Sequence, residues 1–133
     1  MIQVYWDDDT QTIIRLDFSG KLRDWAEYHD AVTEAIELAE QVTHPCYLIF
    51  NANIVKMPQD LSTNPLSEMK RTVDRLPKHI KGVITVIENG IEKRLVDTAP
   101  KIFIKSDNHI IISVNTLEMA YDLINAQQSS YSA

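Results

Sequence analysis

The sequence has few of the residues that mark disulfide-stabilised, nucleotide-binding or membrane-spanning proteins. Its one cysteine, Cys46, cannot form an internal disulfide bond, and its three glycines are too far apart for either glycine-rich phosphate-binding fingerprint. No apolar run approaches the roughly 18 residues that a membrane-spanning helix needs. The sequence therefore predicts neither a disulfide-stabilised mini-protein, nor a nucleotide-binding enzyme of those kinds, nor a membrane span.

Basic residues are also in short supply, with 13 Lys and Arg against 19 Asp and Glu and a net charge of −6. This balance opposes general attraction to nucleic acids or anionic lipids, so we expect no nucleic-acid partner. The first residues lack the basic and then apolar order of a signal peptide, which favours a cytoplasmic location. With 133 residues, 44% of them hydrophobic, the chain fits one globular domain. We expect that domain at residues 1–126, followed by a polar tail at 127–133.

Alternating apolar and helical patterns predict an α/β fold. Strands are expected at residues 2–6, 12–18, 46–50, 82–87 and 109–114. Helices are expected at residues 24–41, from 65 to 76, from 89 to 99, and from 115 past 124. The order β-β-α-β-α-β-α-β-α is typical of a mainly parallel sheet of about five strands, in which only the first strand is antiparallel to its neighbour.

Two helix starts carry clear signals. Asp24 can cap the first helix, and Glu27 stands at the reciprocal capping position. In Asn64-Pro65, the asparagine suits a cap and the proline suits the first helical position. The first helix opens the stripe Trp25-Tyr28-Val32-Ile36, so we expect Trp25 to anchor it to the sheet.

No group of residues predicts a catalytic, cofactor or metal site. The four histidines show no ligand spacing with one another, and Asp7, Asp8 and Asp9 are typical of a solvated turn. Cys46 heads an apolar strand and is predicted to be a buried, inert thiol. We therefore expect no enzyme, although catalytic residues need not be adjacent in sequence.

Charge is unevenly distributed along the chain. The first helix carries six acidic residues and no basic one, whereas basic residues concentrate in and after the second helix. The ordinary interpretation is that both are solvated helix faces, and the alternative is a docking surface for a charged partner. The basic residues are Lys70, Arg71, Arg75, Lys78 and Lys81.

The opening hairpin, the first helix containing Trp25, the long loop after the third strand and the closing segment from Val114 to Ile124 resemble SpoIIAA-like or STAS-like domains. These include anti-sigma-factor antagonists, sulfate-transporter cytoplasmic domains and small bacterial STAS/SEC14-like proteins. The resemblance implies a β/α superhelix with helices mainly on one side of the sheet, and a role in binding and regulation. The Asp-Ser-Ser-Gly type of phosphorylation motif of the antagonists is absent here, so that site is not carried over to Ser62 or Thr63.

The connection between the third strand and the second helix is the predicted recognition surface. A loop this long is uncommon in a compact domain without a function or disorder. Its apolar side chains could instead fold back as a lid over the core. The candidate recognition residues are Ile54, Val55, Met57, Leu61, Ser62 and Thr63.

Two kinds of partner follow from these features. The leading hypothesis is a non-enzymatic module that binds a regulatory protein partner, and the alternative is a carrier or sensor of a small apolar or lipid-like ligand, as SEC14-like proteins suggest. We also expect a homodimer, because three strands are apolar at both odd and even positions, so both sheet faces should be covered, whereas the resemblance places the helices mainly on one face. The hairpin or the last helix could supply that cover within one chain.

Replacing Ile54 and Met57 together with Ser tests the recognition loop. If the loop is a contact surface, the melting temperature stays unchanged and partner or ligand binding is lost. A lid would lose several kcal/mol of unfolding free energy with the two buried apolar side chains. Thermal unfolding beside a binding assay separates the two, and a large loss of stability with binding intact contradicts the recognition role.

Overall fold

The computed structural model describes residues 1–20, 22–51, 65–86, 101–105 and 109–131. They form one mixed six-stranded sheet in the order β1-β2-β3-β4-β6-β5, together with three helices. The strands are β1 (Ile2–Trp6), β2 (Ile13–Phe18), β3 (Cys46–Asn51), β4 (Ile80–Val86), β5 (Lys101–Lys105) and β6 (Ile110–Val114). The helices are α1 (Trp25–Ala39), α2 (Pro65–Val73) and α3 (Leu117–Tyr131). The α/β class is confirmed, and the helix predicted at 89–99 lies outside the described residues.

The sheet is less uniformly parallel than predicted. β2–β3, β3–β4 and β4–β6 pair in parallel, whereas β1–β2 and β5–β6 pair antiparallel. The prediction that only the first strand runs antiparallel is therefore wrong, and it missed β5 altogether. Only residues 106–109 separate β5 from β6, and a parallel connection needs a crossover of a dozen residues or more.

Helices α1 and α2 pack on one face of the sheet, which we call face A. Alternate residues of β3 point to it, and all are buried: Cys46, Leu48 and Phe50. Asp24 caps α1 as predicted, accepting a hydrogen bond from Glu27 N at 2.9 Å. Glu27 in turn accepts from the backbone N–H of Arg23 at 3.0 Å, one residue before the position expected. Both ends of the capping device are thus satisfied.

Tyr28, rather than Trp25, is the central residue of α1. Its side chain is fully buried, and its ring centroid lies 5.4 Å from that of Trp25 and 6.3 Å from that of Phe50. Its hydroxyl lies 3.1 Å from Thr72 Oγ1 of α2. Burial raises the pKa of Tyr28 to about 12. Trp25 is only half-buried, at the margin of the core. The single residue Tyr28 therefore joins α1 to the sheet and to α2.

Helix α3 packs on the opposite face, face B, where it meets the other residues of β3, Tyr47 and Ile49. It extends to Tyr131, past the predicted domain end at residue 126. The described helices therefore lie on both faces, two on face A and one on face B. Burial of β3 on both sides is achieved within one chain, so it does not require a second copy. The homodimer stays a prediction.

Truncation of Tyr28 should destabilise the chain more than truncation of Trp25. We expect Tyr28→Ala to cost about 3–5 kcal/mol of unfolding free energy, as for other large buried side chains, and Trp25→Ala to cost clearly less. Tyr28→Phe removes only the hydroxyl and should cost about 1 kcal/mol. Urea titration of the three variants gives this order, and an equal or larger loss for Trp25→Ala would show that the anchor is misassigned.

Candidate functional site

An open groove runs along face B between α3 and the edge strand β5. We call it the lysine groove. It has a volume of about 560 Å³, within the range of ligand-binding clefts. Side chains and backbone from the turn before β4, from β4, β5, β6 and α3 form it. Its lining residues are Lys78, Ile80, Lys81, Gly82, Val83, Ile84, Ile102, Lys105, His109, Ile110, Ile112 and Gln127.

Three lysines gather where β4 and β6 begin. Lys78 follows α2 in the turn before β4, and Lys81 is the extra residue of a bulge, since Cys46 pairs with Ile80 and Tyr47 with Gly82. Lys105 ends β5 opposite Ile110 at the start of β6. All three side chains are exposed, and none forms an ion pair with any residue that the structure describes. Their positive charge is available to a bound molecule.

Isoleucines form the floor beyond the lysines, and part of it faces solvent. Ile102 is 66% exposed and Ile110 is 42% exposed, two of the few large apolar side chains on the described surface that are open to water. Ile102 pairs directly with Ile112 across β5 and β6. An apolar floor with cations at one end favours an amphipathic, acidic binding partner.

Gly82 lets the C-terminal part of α3 approach the sheet at the side of the groove. A Cβ atom at this position would come within 2.7 Å of Tyr47 Cδ1 and 3.1 Å of Gln127 Oε1. The ring of Tyr47 and the amide of Gln127 therefore occupy the space that a side chain would need. Helix α3 lies over β3, β4 and the end of β6, where Val114 is buried with it. Among the described residues, the strip of face B over β5 and the beginning of β6 stays open.

Few polar side chains line the groove, namely those of three lysines, His109 and Gln127. The titratable groups among them are the three lysines and His109. His109 is buried, and its Nε2 lies 3.2 Å from the backbone oxygen of Pro77. The described lining contains no carboxylate, hydroxyl or thiol.

A second polar cluster on face B, centred on Arg15, ties the N-terminal hairpin to α3. Arg15 donates to Asp17 Oδ1 at 2.9 Å from Nη2 and to Tyr121 Oη at 3.1 Å from Nη1. Tyr121 donates to Asp7, and Tyr5 donates to Asp17 Oδ2 at 2.5 Å. The hydrogen bond to Asp17, together with burial, raises the pKa of Tyr5 to about 12. The members of this cluster satisfy one another, which favours a structural role.

The basic residues around the second helix divide between the two faces of the sheet. Lys78 and Lys81 line the lysine groove, whereas Arg71 and Arg75 border a cleft of about 210 Å³ beside His29 on α1. In that cleft, Glu68 accepts a hydrogen bond from His29 Nε2 at 2.6 Å and lies 3.6 Å from Arg71. Glu68 pairs with Arg71 there, and Arg75 donates from Nη2 to Thr33 Oγ1 at 3.0 Å. The described lining of the lysine groove contains no carboxylate.

The predicted recognition residues Ile54, Val55, Met57, Leu61, Ser62 and Thr63 all lie outside the described residues. The loop starts after Asn51, whose amide donates to Asp17 at 3.3 Å. Of the three aspartates in the first turn, Asp8 holds the turn by accepting from the backbone N–H groups of Thr12 and Ile13. Asp7 instead joins the Arg15 cluster, so that part of the solvated-turn prediction is wrong.

Sequence reasoning missed the lysine groove because its parts are far apart in the chain. One signal was present. In Lys101-Ile-Phe-Ile-Lys105, a short apolar run flanked by lysines is typical of an edge strand that is protected against self-pairing. The described residues contain no group of three or more His, Cys, Asp or Glu that could hold a metal ion. No helix among them is long and apolar enough to cross a membrane.

No family model, no curated protein and no solved structure matches this chain. The resemblance to STAS-like domains therefore stays a prediction from the sequence.

Cys46 should be unreactive in the folded protein. Its side chain is fully buried, and burial raises the pKa of its thiol to about 11. At neutral pH, such a shift reduces the thiolate fraction on the order of a hundredfold. We expect Ellman's reagent to modify Cys46 only after unfolding in urea. Ser67→Cys, which adds an exposed thiol on α2, should react promptly in the folded chain, and prompt reaction of the unmodified chain as well contradicts the prediction.

Proposed function

We propose that this protein is a non-enzymatic, STAS-like binding or regulatory module that acts through protein–protein interaction, and that the lysine groove is its contact surface. The observation that carries the proposal is the exposed isoleucine floor beside three lysines that have no ion-pair partner among the described residues. Exposed apolar surface beside polar residues is characteristic of interaction sites. In the Arg15 cluster and beside the α1–α2 cleft, in contrast, an arginine is paired with a carboxylate.

The openness of the groove favours a protein partner over a small ligand. Pockets for small molecules bury most of the surface of their ligand. Here Ile102 keeps two thirds of its surface in contact with solvent, so the floor is an open surface rather than an enclosed cavity. A protein segment covers such a floor with its apolar side and keeps its polar side hydrated.

A carrier of a small apolar ligand is the second candidate, and the volume of about 560 Å³ supports it. The two candidates differ in what a purified sample contains. A carrier retains a ligand of non-protein mass in native mass spectrometry, whereas a protein-binding module is recovered at the mass of its chains alone.

Photo-cross-linking from the groove floor tests the proposed function. Benzoylphenylalanine replaces Ile102, which lies in the groove, or Glu34, which lies on α1 on the other face of the sheet. In cells that make the protein, we expect a light-dependent adduct of protein mass from position 102 and none from position 34. Joint replacement of Lys78, Lys81 and Lys105 with Gln should reduce it.

Two outcomes would contradict the proposal. An adduct of small-molecule mass at position 102 would favour the carrier. Equal adducts from both positions, unaffected by the lysine substitutions, would show that the groove is no contact surface.

A further inference from the structure

We propose that the lysine groove accepts an amphipathic helix from the partner protein, with its apolar stripe on the isoleucine floor and an acidic C-terminal turn beside Lys78, Lys81 and Lys105. This inference rests on the proposed function and names the chemistry of the partner. Three properties of the site support it: the width of the open strip, its charge and the direction of α3.

The width of the open strip matches one helix. Beside the C-terminal part of α3, the open strip covers β5 and the beginning of β6, and two strands span about 10 Å. An α-helix with its side chains is about 10–12 Å across. A helix of about 14 residues is roughly 21 Å long, close to the roughly 23 Å of the seven-residue strand β4. A docked helix would complete face B as a neighbour of α3.

Charge selects an acidic occupant. The protein as a whole carries a net charge of −6, so the three lysines are a local exception to its surface. Acidic side chains on a partner could form ion pairs with these three lysines, which form none with the described residues. The C-terminal end of a helix is partially negative because of the helix dipole. The partner helix should therefore point this end toward the three lysines.

The direction of α3 shows how a helix lies on this face. It follows β6, and Gln127 near its C-terminal end lines the groove together with the lysines. Helices that pack on parallel strands run antiparallel to them. A partner helix in the same direction as α3 places its C-terminal turn at the lysines.

The described helices of a second copy of this chain do not fit the site. The exposed acidic side chains of α1 could meet the lysines, but α1 buries its apolar stripe, including Tyr28 and Val32, against its own sheet. The apolar stripe of α3, including Ala120 and Ile124, is likewise buried. The described helices therefore cannot offer both an acidic end and a free apolar stripe, whereas an amphipathic helix on another protein can.

Two isomeric peptides test the inference against the full-length chain. Both are about 14 residues long, share one composition and one leucine stripe, and carry a hydrocarbon staple on the polar side that holds each as a helix. In the first, three glutamates lie in the last turn. In the second, they lie in the first turn. The staple makes the comparison independent of the helix propensity of the free peptides.

Fluorescence anisotropy should give the last-turn peptide a Kd at least about fivefold lower than that of its isomer, with a preference that fades as salt rises. Lys78→Gln, Lys81→Gln and Lys105→Gln together should abolish the preference. A control chain with Arg23→Gln, Lys70→Gln and Arg75→Gln loses the same charge outside the groove and should keep it. Ile102→Thr should raise the Kd of both peptides by the same factor.

The contradicting outcomes separate this inference from the proposed function. Equal affinity of both isomers, with Ile102→Thr still weakening them, overturns the acidic-end orientation and leaves the groove as a contact surface. Tighter binding of an extended, proline-containing peptide of the same composition overturns the helix. If neither peptide binds and photo-cross-linking from position 102 yields no adduct, the inference and the proposed function both fail.

Discussion

Burial of β3 on both faces is the constraint on which the rest of the fold depends. Every residue from Cys46 to Phe50 is buried, so apolar side chains must be covered above and below the same strand. Helices α1 and α2 cover face A, and α3 is the described helix that covers face B. Helix α3 contacts β3, β4 and β6. The described residues leave the strip over β5 and the beginning of β6 open, and the lysine groove is that strip.

Two local devices fix the position of α3 and therefore the edge of the groove. In the Arg15 cluster, Tyr121 of α3 is linked to the N-terminal hairpin by hydrogen bonds with Arg15 and Asp7, and Arg15 in turn pairs with Asp17. Burial alone would disfavour the charge on Arg15. Hydrogen bonds from Arg15 to Asp17 and Tyr121 offset that cost and raise the pKa of the guanidinium. At the other end, Gly82 leaves space for Gln127. The site is thus defined by contacts distant from it in sequence.

Local signals predicted the elements whose residues all act within one segment. Asp24 caps α1 in the way its sequence indicates, and the continuous apolar run from Cys46 to Phe50 is a strand buried on both sides. The prediction failed at β5, because an apolar run of three residues between two lysines gives no period from which to tell a strand from a helical turn. The sequence also indicated Trp25 rather than Tyr28 as the anchor of the first helix. Helical spacing identifies an apolar stripe, but it does not show which residue of the stripe reaches the core.

The candidate site was beyond local signals altogether. Lys78 and Lys81 lie close to Arg71 and Arg75 in sequence, and only the crossing from α2 into β4 places the two pairs beside different clefts on opposite faces of the sheet. Ile102 becomes a floor residue only when β5 pairs with β6. Neither fact can be obtained from periodicity or composition, because both depend on which strands become neighbours.

The central claim is that the strip of sheet between α3 and β5 is where this protein meets its partner. Amide NMR shift mapping with the stapled last-turn peptide tests it most directly, since it reports every contacted segment in one spectrum. We expect the largest changes in amide chemical shift at Lys81, Ile102, Ile112 and Gln127, and none in α1 and α2. Changes centred on α1 and α2, with β5 and β6 silent, would contradict it.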